Sequence, residues 1–307
     1  MRALLHEIRH NPMLWLLAFV PVLFSAEWIA PESHTLLFVL SVLAIVPLAT
    51  LLSHATESVA ARTGDPAGGL LNATLGNLTE LVIALTALRA GEYMLVKASI
   101  AGAIVANTLF MPGASFLLGG LKHHVQEYNR ASARLQAGLL FLASVALMIP
   151  SAVGGSESVA NEAFVGQLSV GLSLPLITAY GLGMLSSLKT HKELFASVAR
   201  VSDDDGPSWS MSLALTTLAG VTLLVALVSE IFVESVQQAA ETFGMTPAFV
   251  GFVVVAIVGG AAEMASAFSG ARKNRLDLSV RIALGSAVVS ASVLACAADP
   301  RWPSRGR

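Results

Sequence analysis

The stretch from Pro66 to Leu88, PAGGLLNATLGNLTELVIALTAL, is apolar over a length that crosses a bilayer, yet it carries Glu80 about two-thirds of the way along. A carboxylate at the centre of a membrane helix costs roughly 2.5–3.5 kcal/mol on insertion scales, so an ionisable group at that depth marks function by default. Read as one helix, the spacing of four places Asn72, Gly76 and Glu80 on one face, with Asn77 adjoining Glu80 three residues away. Small residues on that face let a second backbone approach, and the amide oxygens share whatever the carboxylate holds.

The stretch has a twin. Pro247 to Gly270, PAFVGFVVVAIVGGAAEMASAFSG, is again apolar and again holds one carboxylate, Glu263. Setting Glu80 on Glu263 fixes an offset of 183 residues, which without a gap also pairs Gly76 with Gly259, Arg89 with Arg272, Leu95 with Leu278 and Gly102 with Gly285. Upstream, Glu57-Ser58-Val59 echoes Glu234-Ser235-Val236 at an offset of 177. Two halves with one buried glutamate each are the sequence sign of a transporter built from internal repeats.

Composition agrees. Of 307 residues 55% are hydrophobic and 12% charged, about half the charge of an ordinary soluble domain, and the mean hydropathy is +0.72. The expected fold class is all-α: a polytopic membrane protein of about nine transmembrane helices, at 13–31, 35–53, 67–88, 95–119, 135–154, 166–187, 210–232, 247–270 and 279–297. The first run continues through Trp28 and Ile29, longer than a signal-peptide core, and reads as a retained helix. Placing the N-terminus in the cytoplasm puts twelve basic residues in inside segments, Arg2 to Arg275, against Arg89 and Lys97 outside before the last span. The third span then runs outward and the eighth inward, so the two repeats have inverted topology.

The expected organisation is an N-terminal segment with the first helix (1–34), a first repeat of five helices (35–188), a cytoplasmic linker (189–209), a second repeat of three helices (210–298) and a tail (299–307). The outer loop Glu234–Thr246 is acidic, and His123 and His124 read as solvated in an inside loop. Asp203-Asp204-Asp205 lacks the alternating oxygens and distal glutamate of a Ca²⁺ loop and reads as solvated linker. Cys296 is the single cysteine, which excludes a disulfide framework and a thiolate metal site. No basic stripe with interleaved aromatics suggests nucleic acid. None of the seven histidines lies in a span's middle, so an intramembrane hydrolase finds no Ser–His pair and no enzyme is expected.

Two carboxylates meeting at depth have two comfortable states: both protonated, or bridged by a divalent cation. Each state excludes the other, and that competition is a physical basis for antiport. With no His or Cys beside either glutamate, the hard oxygens suit Ca²⁺ or a similar ion. Glu230 and Glu234 near the outer end of the seventh span, and Glu57 near the inner end of the second, are weaker candidates for entrances.

At these residues the chain resembles the Ca²⁺/H⁺ antiporter family of the cation/Ca²⁺ exchanger superfamily. The run ATESVAARTGDPAGGLLNATLGNLTELVIALTAL (55–88) is similar to the family's first signature, including Gly76, Asn77, Glu80 and Leu81; VGGAAEMASAFSGARKNRLDLSVRIALGSA (258–287) is similar to its second. The resemblance runs from about residue 35 to 287. It implies an integral protein of the lipid bilayer, in a bacterial inner (cell) membrane, that exchanges Ca²⁺ for H⁺ and needs no cofactor beyond the transported ions. It implies that Glu80 and Glu263 bind cation and proton in turn, with Asn77, Asn107 and Ser286 completing the site. The chain departs from the pattern at Gly260, Met264, Val289 and Ala103, which removes neutral oxygens, and its second repeat stops short, as expected of a truncated chain. The alternatives are a Na⁺/Ca²⁺-type exchanger and a non-transporting remnant.

Overall fold

The computed structural model describes residues 8, 9, 11–63, 75–153, a discontinuous part of 171–185, and 209–291, and every regular element among them is helical. Pro12–Ala18 opens as a 3₁₀ turn, capped by Asn11, whose Oδ1 accepts from the Met13 amide at 3.1 Å, and runs into α1 (Phe19–Ile29). There follow α2 (His34–Arg62), α3 (Leu78–Arg89) and α4 (Tyr93–Val105), the last continuing through a π-helical segment (Ala106–Phe110) into α5 (Met111–Gly120). Then come α6 (Arg130–Val153) and α7 (Met211–Thr242). A single turn (Pro247–Phe249) and a second π segment (Val250–Val255) lead into α8 (Ala256–Gly259), followed by α9 (Ala261–Arg272) and α10 (Leu276–Val289).

Four described helices are long and apolar enough to cross a membrane: Pro12–Ile29, His34–Arg62, Tyr93–Gly120 and Met211–Thr242. Pro247–Gly259 and Ala261–Arg272 make a fifth if counted as one span bent by 56°. The sequence expectation is corrected at three places. α7 continues to Thr242, so Glu234 lies on a helix and not in an outer loop. The fourth span holds a π segment. The third span is not one helix through Glu80: Gly76 and Asn77 form a turn and α3 begins at Leu78, so the face of four-residue spacing through Gly76 does not exist. Asn72, residues 189–208 of the linker with its three aspartates, and Cys296 lie outside the described residues.

The chain divides into two units, Met1–Ala103 with Ser202–Ala265 and Ile104–Val201 with Ser266–Arg307. In the first, α2 lies along α7. Val221, Val225, Val228, Phe232, Val236 and Ala239 of α7 are buried at spacings of three and four, the stripe an amphipathic helix lays on a core. Phe38 of α2 stacks on Phe232 with ring centroids 5.4 Å apart. Arg62, ending α2, donates Nε to the carbonyl of the buried Trp209 at 2.7 Å. The backbone of α4 touches the second π segment through two glycines. A Cβ on Gly102 would run into the Phe252 carbonyl, and one on Gly251 would stand 2.6 Å from the Leu95 oxygen.

In the second unit α10 packs against α5, α6 and the first π segment. Ala271, Leu276 and Val280 form one buried cluster and Ala143, Ala146 and Ala291 belong to another. The loop after α5 is tied to the α9–α10 turn. Gln126 donates to the Ala271 carbonyl at 2.9 Å, the Asn129 amide donates to Asp277 Oδ1 at 2.9 Å, and His123 Nε2 lies 3.2 Å from the Arg272 carbonyl. His123 is half-buried in this loop and its contact is open to solvent, while the carbonyls left open at the end of α9 draw polar side chains.

Candidate functional site

The two glutamates stand on matched pieces of backbone. α3 and α9 each have twelve residues and lie 183 residues apart. Asn77 precedes α3 with φ −94°, ψ 16°, and Gly260 precedes α9 with φ −89°, ψ 11°. From these residues the ladder starts identically: the Leu81 amide donates to the Asn77 carbonyl at 3.0 Å and Met264 to Gly260 at 3.0 Å. Glu80 and Glu263 each occupy the third position of the first turn. The exits match too. Gly91 (φ 80°) and Asn274 (φ 59°) take the left-handed conformation, and the amides after them reach back to Ala87 and Gly270 at 2.9 and 2.8 Å.

A first-turn position gives a carboxylate the positive end of a helix dipole, about half an elementary charge. The sequence reading placed these glutamates in mid-helix; the structure places them at helix starts, where a negative charge is less costly. They also meet. Glu80 is buried, and a Cβ on Gly259 would stand 2.9 Å from its Cγ, so the glutamate of one half rests on the glycine just before the other half's break. Glu80 and Glu263 lie within Coulombic reach of each other. Oε2 of Glu263 is buried and has no hydrogen-bond partner among the described residues. No group of three or more His, Cys, Asp or Glu converges among the described residues, so a cation here meets two carboxylates and must take its other ligands from neutral oxygens or water.

Asn77 is buried at the start of α3, three residues before Glu80 in the chain. Asn107 and Ser286 belong to the second unit, both buried, where Asn107 Nδ2 donates to Ser286 Oγ at 3.1 Å. The entrance candidates do not join the pair: Glu230 and Glu234 lie on the exposed stripe of α7, and Glu57 on α2 accepts from Ser53 at 3.4 Å. Three residues escaped the sequence reading. Gly251 shows its role only once α4 crosses it; Gln136 in α6 has a buried Oε1; Asp277, fully buried, holds the Asn129 amide. Only Asp277 had a signal, a carboxylate in the first turn of a helix after a turn residue.

Comparison with known proteins shows the family and the fold. The family model for the sodium/calcium exchanger protein matches residues 33–189 and 213–297. The Ca(2+)/H(+) antiporter ChaA of Bacillus subtilis is 40% identical over 265 residues, covering 84% of this chain and 74% of that protein. The Ca(2+)/H(+) antiporter of Aphanothece halophytica is 38% identical over 284 residues, covering 88% and 76%. Among solved structures, native YfkE superposes with a TM-score of 0.77 at 33% identity, over 95% of this chain and 83% of that one. The H+/Ca2+ exchanger CAX shares the fold, with a TM-score of 0.70 at 18% identity over 94% and 73%.

Proposed function

The chain belongs to the sodium/calcium exchanger family, and we propose that it is a secondary antiporter exchanging Ca²⁺, or a similar divalent cation, for H⁺, with Glu80 and Glu263 binding cation and protons in turn. The observation that carries this is the pair of matched helix breaks, which set two carboxylates in first turns with Glu80 resting on Gly259. Asn77 supplies an amide oxygen beside Glu80, and Asn107 and Ser286 are further neutral ligands. Glu57, Glu230 and Glu234 serve entrances. The protein spans a bacterial cell membrane about nine times, N-terminus in the cytoplasm, as two inverted repeats of which the second is incomplete.

The physical cycle is short. A divalent cation between two carboxylates is locally neutral, and so are two carboxyl groups carrying two protons. A half-empty pair is not, and burial makes that state expensive. Loading one occupant therefore requires release of the other, and alternating access to a site fixed between repeats turns the competition into exchange. Na⁺-coupled exchange gains nothing from the geometry, since no third acidic group joins the pair among the described residues.

The test is ΔpH-driven ⁴⁵Ca²⁺ uptake by proteoliposomes. Glu80→Gln and Glu263→Gln are each expected to abolish it. If Ca²⁺ displaces two protons, its apparent affinity falls with acidification by a factor approaching about 100 per pH unit where both carboxyls are protonated. A tenfold slope would mean that one carboxylate exchanges. Uptake by both glutamine variants at the parent's rate would refute the assignment, and a silent parent would favour the remnant reading.

A further inference from the structure

The second unit holds a buried polar group, on Gln136, to which the carboxylate pair and its neutral ligands give no role. Gln136, early in α6, lays its amide against Gly285 of α10: a Cβ there would stand 3.5 Å from Nε2. Its Oε1 is buried and has no hydrogen-bond partner among the described residues. One residue along α10, Ser286 accepts from Asn107 Nδ2, and Asn107 Oδ1 is likewise buried without a partner among the described residues. Asn107 is 1% exposed. α10 packs on both the π segment that carries Asn107 and the helix that carries Gln136.

Two amides that set their nitrogens against consecutive positions of one helix, each with its oxygen buried and without a partner among the described residues, are costly unless something else meets those oxygens, because a buried polar group without a partner forfeits its hydration. Both orphan atoms are acceptors, so the missing partner is a donor or a cation. Side-chain carbonyl and hydroxyl oxygens are ordinary ligands of hard divalent cations, which take six to eight oxygens at roughly 2.3–2.6 Å. Two carboxylates cannot fill that shell, even bidentate, without neutral oxygens or water.

We propose that Gln136 Oε1, with Asn107 Oδ1 and Ser286 Oγ, forms a neutral-oxygen station in the second unit that takes the transported divalent cation in place of part of its water shell. Gln136 is then a determinant of cation affinity. The station rests on the antiport reading but makes a separate demand: an oxygen at the end of residue 136. In a stretch that reads RLQAGLLFLASVALMIP, a single amide in an apolar helix gives no such hint.

The experiment is equilibrium ⁴⁵Ca²⁺ binding to the purified full chain in lipid nanodiscs, at alkaline and acidic pH, with thermal unfolding measured on the same samples. Gln136→Met keeps the length and removes the oxygen; it is expected to weaken Ca²⁺ binding by about tenfold at an unchanged unfolding temperature. Gln136→Glu keeps the oxygen and adds charge; it is expected to tighten binding at alkaline pH and to lose that gain on acidification. Parent-like affinity in both variants overturns the station while leaving the carboxylate pair standing, provided Glu80→Gln still abolishes binding. Weaker binding in Gln136→Met with a lowered unfolding temperature and no tightening in Gln136→Glu assigns Gln136 to packing and also overturns it. A parent that binds no Ca²⁺ overturns both readings.

Discussion

The helix break before Glu80 and the one before Glu263 share a backbone and differ in what that backbone carries. Entry dihedrals agree within about 5°, both following helices have twelve residues, and both exits pass through one left-handed residue. Yet at matched positions Asn77 stands against Gly260, Gly91 against Asn274, Ala103 against Ser286 and Asn107 against Ser290. Placing a carboxylate in a first turn is work for the main chain alone, so the peptide geometry repeats. The neutral oxygens have no such constraint, and the chain distributes them unequally: an amide at Asn77 against no side chain at Gly260, and a hydroxyl at Ser286 against a methyl at Ala103.

The largest expected contrast lies at the paired glycines of α4 and α10. Gly102→Ala drives a methyl into the Phe252 carbonyl, and main chain cannot rotate away as a side chain does. It should cost about 3 kcal/mol, seen as a clear drop in unfolding temperature. Gly285→Ala meets only Gln136 Nε2 at 3.5 Å, an ordinary contact, and with its gain in helix propensity should range from neutral to about 1 kcal/mol stabilising. Equal losses at the two sites would mean that the close approach is a property of both halves and not of the first alone.

A smaller effect should follow from exchanging the residues that open the breaks. Asn77→Gly removes the amide oxygen proposed as a ligand and should raise the KM for Ca²⁺ uptake by about fivefold at near-parent maximal rate. Gly260→Asn supplies the missing counterpart next to Glu263 and should lower KM by about threefold. No change in either variant would show that the two oxygens are structural and the asymmetry without consequence. The smallest contrast is at the exits. Gly91→Ala puts a Cβ at φ 80° and should cost about 1–2 kcal/mol. Asn274→Ala should cost less, since asparagine already pays part of that strain at φ 59°, and Asn274→Gly should gain a few tenths of a kcal/mol. Thermal unfolding of the three variants checks the order.

The pairing of Glu80 with Glu263 was legible because an offset of 183 residues survives without a gap and because a carboxylate inside an apolar run is conspicuous. The break beside each one was not. Gly76-Asn77 and Gly259-Gly260 sit in runs that hydropathy reads as continuous helix, and membrane helices tolerate glycine, so the spacing argument carried Glu80 to mid-helix. Asn107 and Ser286 entered only through family resemblance, and the hydrogen bond between them joins residues 179 apart, which no local pattern announces. Gln136 and Gly251 stayed invisible for the same reason: their neighbours come from other helices.

The π segments have a consequence for how such chains vary in length. A π turn is an α turn holding one residue too many. Removing a single residue from Ala106–Phe110 lets the helix close as α while the positions beyond it keep roughly their phase, whereas the same deletion from a regular α-helix turns every later position by about 100° and draws it back by about 1.5 Å. Met111 and Ser115, both fully buried, would then stay buried. Read the other way, the segment is an insertion already absorbed, at a place where the helix can swallow one without rewinding what lies beyond it. Single-residue gaps are ruinous in most membrane helices; in this one, the few residues after Gly102 are where an alignment of related chains should be allowed to open them.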